Sequence, residues 1–474
     1  MMRIRSLRPG HMAAALLSAG LVSATDAGPR NVILFVGDGM GVSTVTAARI
    51  LEGQMHGNPG EENALSFEEF PALALVKTYT TDMQVPDSAG TMTALVTGVK
   101  TRSGVISIGP EADRGDCEAS KAYTLETLLE VAEQEGYRTG IVTTTSITHA
   151  TPAATYAHAA DRNWERRGAI PEESRDTCAD IAQQFVAFGY GDGIDVAFGG
   201  GREMFLPATE ADPEDDGATG AREDGRNLVE EWLASGEGRA FAHDQAGFEA
   251  LPSEAQVLAL FEPSHMEFEA DRAEDAGGEP SLAEMTAAAI DRLANDRGYF
   301  LMVEAGRIDH AHHFGNARRA LVDTIALADA VAVAAERTDP ADTLIVVTAD
   351  HSHTLTIAGY PVRGNPILDY VRDAAGEPQR DAKGQAYTTL GYANGPGALV
   401  DRDAEDAIAV PTDGDYQQTA THAMYIETHA GEDVPAYARG PHAGEIAGVM
   451  EQNELHGVML RALFGADSAT RETR

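Results

Sequence analysis

Between residues 31 and 349, short continuous apolar runs alternate with stretches of helical spacing. Residues 31–36 (NVILFV) are apolar and rich in β-branched side chains, and Gly37 and Gly39 close them off. That is the signature of a buried strand. Helical spacing follows over 43–51, and again over 125–135, which leads into a strand at 138–143 (RTGIVT). Residues 195–198 predict a strand ahead of three glycines; 299–303 (YFLMV) and 343–348 (TLIVVT) predict two more. Residues 318–336 predict a long Ala-rich helix, with Asn316 placed to cap it. Strands that are apolar on both faces and alternate with helices imply an α/β fold, a central, mostly parallel sheet with helices on both faces. Two segments break the rhythm. Residues 208–239 are acidic, Gly-rich and loop-like, and 359–420 carry Pro, Gly and Asp clusters. Both predict insertions on a single α/β domain over 28–474. The length of 474 residues would by itself suggest about three domains, but large α/β sheets absorb such length through insertions.

Charge changes the picture of the surface. Asp plus Glu number 75 against 35 Lys plus Arg, a net charge of −40, and only four of the cations are lysine. Acidity of this degree first suggests disorder, which the 43% hydrophobic content and the recurring strand runs exclude. The alternative is a solvated acidic surface that repels itself at low salt. At molar salt the Debye length falls to about 3 Å and the repulsion is screened. A halophilic or salt-tolerant source is the expectation. No basic stripe exists to neutralise phosphates, so nucleic-acid binding is excluded. At the start, Arg3, Arg5 and Arg8 precede a short apolar run over 12–22 and small residues ending at Ala24 or Ala27. Residues 1–27 therefore read as a signal peptide, and the protein as exported to the periplasm or the extracellular space. No stretch is long enough to span a membrane, and the polar C-terminus offers no lipid-anchor signal. Two cysteines, Cys117 and Cys178, suit one disulfide in an exported protein, with two buried thiols as the alternative.

Candidate chemistry gathers where the predicted strands end. Asp38 follows the first, His149 and Thr151 the 138–143 strand, Glu304 and Asp309 the 299–303 strand, and Asp350 and His351 the 343–348 strand. In open parallel sheets ligands bind beyond the carboxyl ends of the strands, so four such ends point to one shared site. Asp309 and His313 have i, i+4 spacing, one face of a helical turn. His429 adds a further imidazole. Imidazole with carboxylate suits zinc, and the oxygen set Asp38, Thr151 and Glu304 suits magnesium. Ser88, in Asp87-Ser88-Ala89 before a short helix, would stand at a helix N-terminus that favours anions. Taken alone it reads as an N-cap; beside metal ligands it reads as a nucleophile, since a metal can activate a serine.

NVILFVGDGMG, Asp87-Ser88-Ala89, His149-Ala-Thr-Pro-Ala, Glu304-Ala-Gly-Arg-Ile-Asp309-His310-Ala-His312-His313, Thr348-Ala-Asp350-His351 and Thr428-His429-Ala-Gly-Glu-Asp433, in this order, closely resemble the alkaline phosphatase family. The resemblance implies hydrolysis of small phosphomonoesters with two zinc ions and one magnesium ion. Asp309, His313 and His429 correspond to ligands of the first zinc. Asp38, Asp350, His351 and Ser88 correspond to the second. Asp38, Thr151 and Glu304 correspond to the magnesium site. Arg162, which nothing local singles out, corresponds to a phosphate clamp. His149 and His310 correspond to residues just outside the magnesium ligands. The implied mechanism is a two-step displacement through a phosphoserine at Ser88 with a loose transition state, in which positioning and charge neutralisation dominate. The animal-type members hold a calcium ion as well, and the matching positions are Glu214, the Phe261 carbonyl, Glu262 and Glu279, the last replacing an Asp. The 359–420 insertion resembles the family's crown subdomain at a dimer contact, so a homodimer is implied. Phosphodiesterases, sulfatases and mutases on the same fold would not need the Thr151–Glu304 pair or Arg162.

Overall fold

The computed structural model describes residues 30–215, 217–400 and 414–465. The leader assigned to 1–27 and part of the second insertion lie outside the described residues. Ten strands form the main sheet, in the order Ala447–Glu451, Ala72–Lys77, Val434–Arg439, Thr343–Ala349, Asn31–Gly37, Tyr299–Ala305, Arg138–Ser146, Val196–Gly200, Gln256–Leu260, Arg239–Ala242. All run in one direction except Val434–Arg439, which is antiparallel to both neighbours.

The centre of the sheet is fixed by burial. Every residue of Asn31–Gly37 is buried, as expected of a strand covered on both faces. It lies between Tyr299–Ala305 and Thr343–Ala349, with Gly37 opposite both Ala305 and Ala349. Asp38, Gly306 and Asp350 therefore leave the sheet at the same level. Helices flank it in two groups. Val42–Met55, Leu282–Leu293 and Ala317–Arg337 pack on one another, as do Ser88–Thr97, Leu128–Gln134 and Glu454–Phe464. Asn316 caps the long helix as predicted, its side chain accepting from the Arg319 N–H.

In their described residues the two insertions carry more regular structure than their composition suggests. Within 208–239 a helix forms at Leu228–Ala234. The buried Arg222 anchors this stretch through Asp180 (3.0 Å) and Asp224 (2.6 Å), and the buried Arg202 through Asp212 (2.6 Å). The second insertion contributes to a small separate sheet of Leu355–Ile357, Leu390–Gly395 and Thr419–Ala423. Cys117 and Cys178 form a disulfide, which removes the free-thiol alternative. Among the described residues, no helix is long and apolar enough to cross a membrane.

Candidate active site

The nucleophile candidate is placed by a cap. Asp87, not Ser88, is the N-cap of Ser88–Thr97, its side chain accepting from the Gly90 N–H at 3.3 Å. Ser88 is thus the first helical residue and its hydroxyl is free of capping duty. The Ser88 Oγ is buried, 3.3 Å from His351 Nε2 and 3.5 Å from Asp38 Oδ2. The loop after the first strand can approach this closely because of two glycines. Gly39 has φ +71°, and a Cβ there would lie 2.4 Å from the His353 ring; a Cβ on Gly41 would meet Ser352 Oγ at 1.9 Å.

Three groups of metal-competent side chains surround Ser88. Asp309, His313, His353 and His429 form one; Asp38, Asp309 and His351 the second; Asp38, His149 and Glu304 the third. Asp350 joins the second, its Oδ2 standing 3.3 Å from His351 Nε2. In the first group, His313 Nδ1 donates to the Glu427 carbonyl (2.6 Å) and His429 Nδ1 to the Pro86 carbonyl (2.8 Å). Carbonyls only accept, so each Nδ1 carries the proton and each Nε2 is a bare lone pair. Those two nitrogens face each other at 3.2 Å, and His429 Nε2 lies 3.3 Å from Asp309 Oδ1. Opposed ring nitrogens beside a carboxylate fit a shared cation. The third group passes a different test. Asp38 Oδ1, Thr151 Oγ1 and Glu304 Oε1 are all buried with no hydrogen-bond partner. Such atoms are costly unless an ion or water meets them.

Electrostatics agree. Burial, then the neighbouring Asp350, pushes the Asp38 carboxyl well above the usual range. Glu304 is raised by burial as well. Crowded buried carboxylates are relieved by a divalent cation. Asp309 differs: burial pushes it up, but His313 and His353 hold it well below the ordinary range. Burial lowers the His351 and His149 imidazoles well below theirs, so both rings are neutral and suited to metals or hydrogen bonds.

Arg162 donates from one guanidinium nitrogen to Asp87 Oδ2 and from another to His149 Nε2, both at 3.0 Å. A guanidinium can only donate, so His149 Nε2 accepts and its proton sits on Nδ1. His149 therefore faces Asp38 and Glu304 as an N–H donor. His310 lies behind it, ring centroids 5.5 Å apart, with its Nδ1 3.1 Å from Arg307.

Sequence reasoning missed three residues. His353 is fully buried, with Nε2 2.6 Å from Asp309 Oδ1 and Nδ1 2.5 Å from Glu427 Oε2. Burial lowers this imidazole, but the carboxylates at its two nitrogens outweigh that and raise it to about 10. The signal was there: His351 and His353 are two apart, and alternate residues of an extended chain share a side. His265 packs on the His310 ring at 4.4 Å and nothing in its sequence context marks it. At the calcium positions, Glu214 and Glu262 come together with Asp275, not with Glu279. Burial raises Glu214 to about 7 and Glu262 to about 8. Glu279 is buried beside them; its Oε1 accepts from the Glu267 N–H (3.0 Å) and its Oε2 is buried with no hydrogen-bond partner.

The alkaline phosphatase family profile matches residues 29–464. The tissue-nonspecific alkaline phosphatase of Gallus gallus is 43% identical over 456 residues, covering 93% of this chain and 86% of that protein. The chain belongs to the alkaline phosphatase family. It is accordingly a metal-dependent phosphomonoester hydrolase. The membrane-bound alkaline phosphatase of Bombyx mori is 42% identical over 453 residues, covering 92% of this chain and 80% of its own. Solved alkaline phosphatases share the fold. That of Thermus thermophilus has a TM-score of 0.65 at 24% identity, covering 97% of this chain and 100% of its own. That of the Antarctic bacterium TAB5 has 0.62 at 21%, covering 92% and 98%.

Proposed function

We propose that this alkaline phosphatase converts phosphomonoesters to alcohol and inorganic phosphate through a phosphoserine at Ser88. The observation that carries the reading is the buried Ser88 Oγ, at the first residue of a helix and within 3.5 Å of both His351 and Asp38. Asp309, His313 and His429 would hold one zinc, and Asp38, Asp350 and His351 the second, beside Ser88. The oxygen-rich third group, with Asp38, Thr151 and Glu304, would hold magnesium. A solved variant of the TAB5 enzyme has Mg bound in its M3 site. Glu214, Glu262 and Asp275, three carboxylates, fit a hard cation such as calcium. When bound, the zinc and magnesium ions supply positive charge that neutralises phosphate oxygens and favours ionised serine.

The chain supplies the rest. Arg162 presents a planar fork, already fixed by Asp87 and His149, that can grip two phosphate oxygens. The helix N-terminus behind Ser88 adds amide donors and a favourable dipole. Ser88 gives its proton to solvent and Oγ attacks phosphorus in line; the Oγ–P bond forms as the P–O bond to the alcohol breaks, and the departing oxygen takes a proton from water. A water molecule then attacks the same phosphorus and gives up a proton, the Oγ–P bond breaks with Oγ regaining a proton, and inorganic phosphate leaves. The test is p-nitrophenyl phosphate hydrolysis at alkaline pH, in high salt with zinc and magnesium, beside Ser88→Ala. Turnover that nearly vanishes in the variant, with phosphate trapped on wild-type Ser88 by acid quench, is expected. Undiminished turnover in Ser88→Ala would sink the proposal.

A further inference from the structure

Glu427 is buried, at 1% exposure, two residues before His429. It touches the first metal group in two ways. Its backbone accepts from His313 Nδ1 at 2.6 Å, and its own N–H donates to the His313 carbonyl at 2.9 Å. Its side chain accepts from His353 Nδ1 at 2.5 Å through Oε2, and from the Thr354 N–H (2.7 Å) and Thr354 Oγ1 (2.6 Å) through Oε1. Every acceptor on this carboxylate is thereby spoken for by a donor whose position is fixed by the strand Ser352–His353, which pairs with His429–Ala430.

The consequence reaches the metal group through His353. With Nδ1 held by Glu427, the opposite nitrogen is aimed at Asp309 Oδ1, 2.6 Å away. One Asp309 lone pair is taken up there, and the carboxylate plane is set against His313 Nε2, 3.4 Å from Oδ2, and His429 Nε2. We propose that Glu427 is the positioning residue of the first metal group: its side chain orients Asp309 through His353, while its backbone fixes the His313 tautomer. A ligand whose orientation is fixed by a partner behind it binds more tightly, because less freedom is lost on coordination. The proposal rests on the reading that this group holds a zinc ion.

Glu427→Gln discriminates. The backbone contact to His313 survives, but the amide has one acceptor where three donors converge on two oxygens, and its NH2 meets either Thr354 or His353 donor to donor. The holoenzyme variant is competed against a zinc chelator, and the retained zinc and magnesium are counted by elemental analysis. Zinc loss confined to one of two zinc equivalents, at about 10–100-fold weaker affinity, is expected. Magnesium retention should stay unchanged, and saturating zinc should restore kcat with KM unaltered. Glu427→Asp keeps the charge on a shorter arm and should fall between, and it carries the test if the amide variant does not fold. Glu432→Gln removes the carboxylate that accepts from Ser352 Oγ, on the same strand but on no metal-facing atom, and should retain zinc like wild type. Wild-type zinc retention in both Glu427 variants, or equal loss of all metals, overturns the proposal. Because zinc retention is read without turnover, it stands or falls independently of the phosphoserine test.

Discussion

At the scale of single residues, Arg162 shows how a side chain can be preset for an anion. Burial alone would raise Asp87, but Arg162 and two backbone N–H groups hold it below the ordinary carboxylate range, so the pair stays ionised. The guanidinium is thus already oriented when phosphate arrives, and little freedom remains to be lost. Arg162→Ala should lower kcat/KM by about 10–100-fold, the loss of charged hydrogen bonds worth about 1.5–3 kcal/mol. Arg162→Lys keeps the charge but not the fork and should recover only part of it. Steady-state kinetics with p-nitrophenyl phosphate decide; wild-type kcat/KM in Arg162→Ala would mean that the arginine serves only to fix Asp87. The residues readable from sequence were those whose type and strand-end position already imply metals: Asp38, Glu304, Asp309, Asp350 and His351. Arg162 was not readable in this way, because its partners are 75 and 13 residues away and only the fold brings them together. The same holds for Asp275, which the fold brings beside Glu214 and Glu262 and which the family resemblance did not single out.

At the scale of elements, apolar periodicity located the central strands and failed where polar chain is buried. The strand expected to end at 143 runs to Ser146, because Thr143, Thr144, Thr145 and Ser146 continue it as buried polar residues. Two of their hydroxyls serve the site, Thr143 and Thr145 both donating to Glu304 Oε2. Hydropathy cannot see a strand whose side chains are satisfied by a carboxylate from a neighbouring strand. The helix expected from 125 starts at Leu128 because Thr127 and Glu130 form a capping box, a T-x-x-E signal that was legible. That helix also carries a liability. Glu133 is buried, its Oε1 taken by Thr139 Oγ1 and its Oε2 unpartnered, and burial raises it to about 9. Its folded pKa lies above its unfolded value of 4.5, so between these limits the folded state holds a proton that the unfolded chain releases. Stability therefore falls as pH rises through this window, by at most about 1.4 kcal/mol per pH unit for one group. Glu133→Gln removes this titration and should lessen the fall of denaturant-derived stability between pH 5 and 9, other raised carboxyls such as Asp323 keeping part of it. Parallel wild-type and variant curves would show that the carboxyl stays ionised in the fold.

At the scale of the whole molecule, the main sheet places the chemistry and the surface charge sets the conditions under which it holds together. The central parallel order follows from alternating elements, but Gln256–Leu260 and Arg239–Ala242 at one edge and Ala72–Lys77, Val434–Arg439 and Ala447–Glu451 at the other were not anticipated. The last three differ from the central strands in their burial. Val434–Arg439 has a Pro within it, Ala72–Lys77 buries only alternate residues, and Ala447–Glu451 is largely exposed, so none shows the unbroken burial of the central strands. Outside that sheet the net charge of −40 is spread over a surface with few cations to offset it. Two of the four lysines, Lys77 and Lys100, are drawn to the same carboxylate, Glu451. The arginines that pair best, Arg202 and Arg222, are buried and hold the first insertion in place, so they do little to neutralise the exterior. Buried pairs are screened weakly by salt and exposed repulsion strongly. Added salt should therefore remove the unfavourable term while leaving the favourable ones nearly intact. The melting midpoint is expected to rise steadily from about 0.05 M to about 2 M NaCl, most steeply at the low end where the Debye length shrinks fastest. Sucrose at matched osmolality is the control, since it strengthens burial without screening charge. A rise with NaCl that sucrose reproduces would assign the effect to solvent exclusion. A fall with NaCl would mean that attractive surface pairs, not repulsion among carboxylates, dominate the stability of this acidic fold.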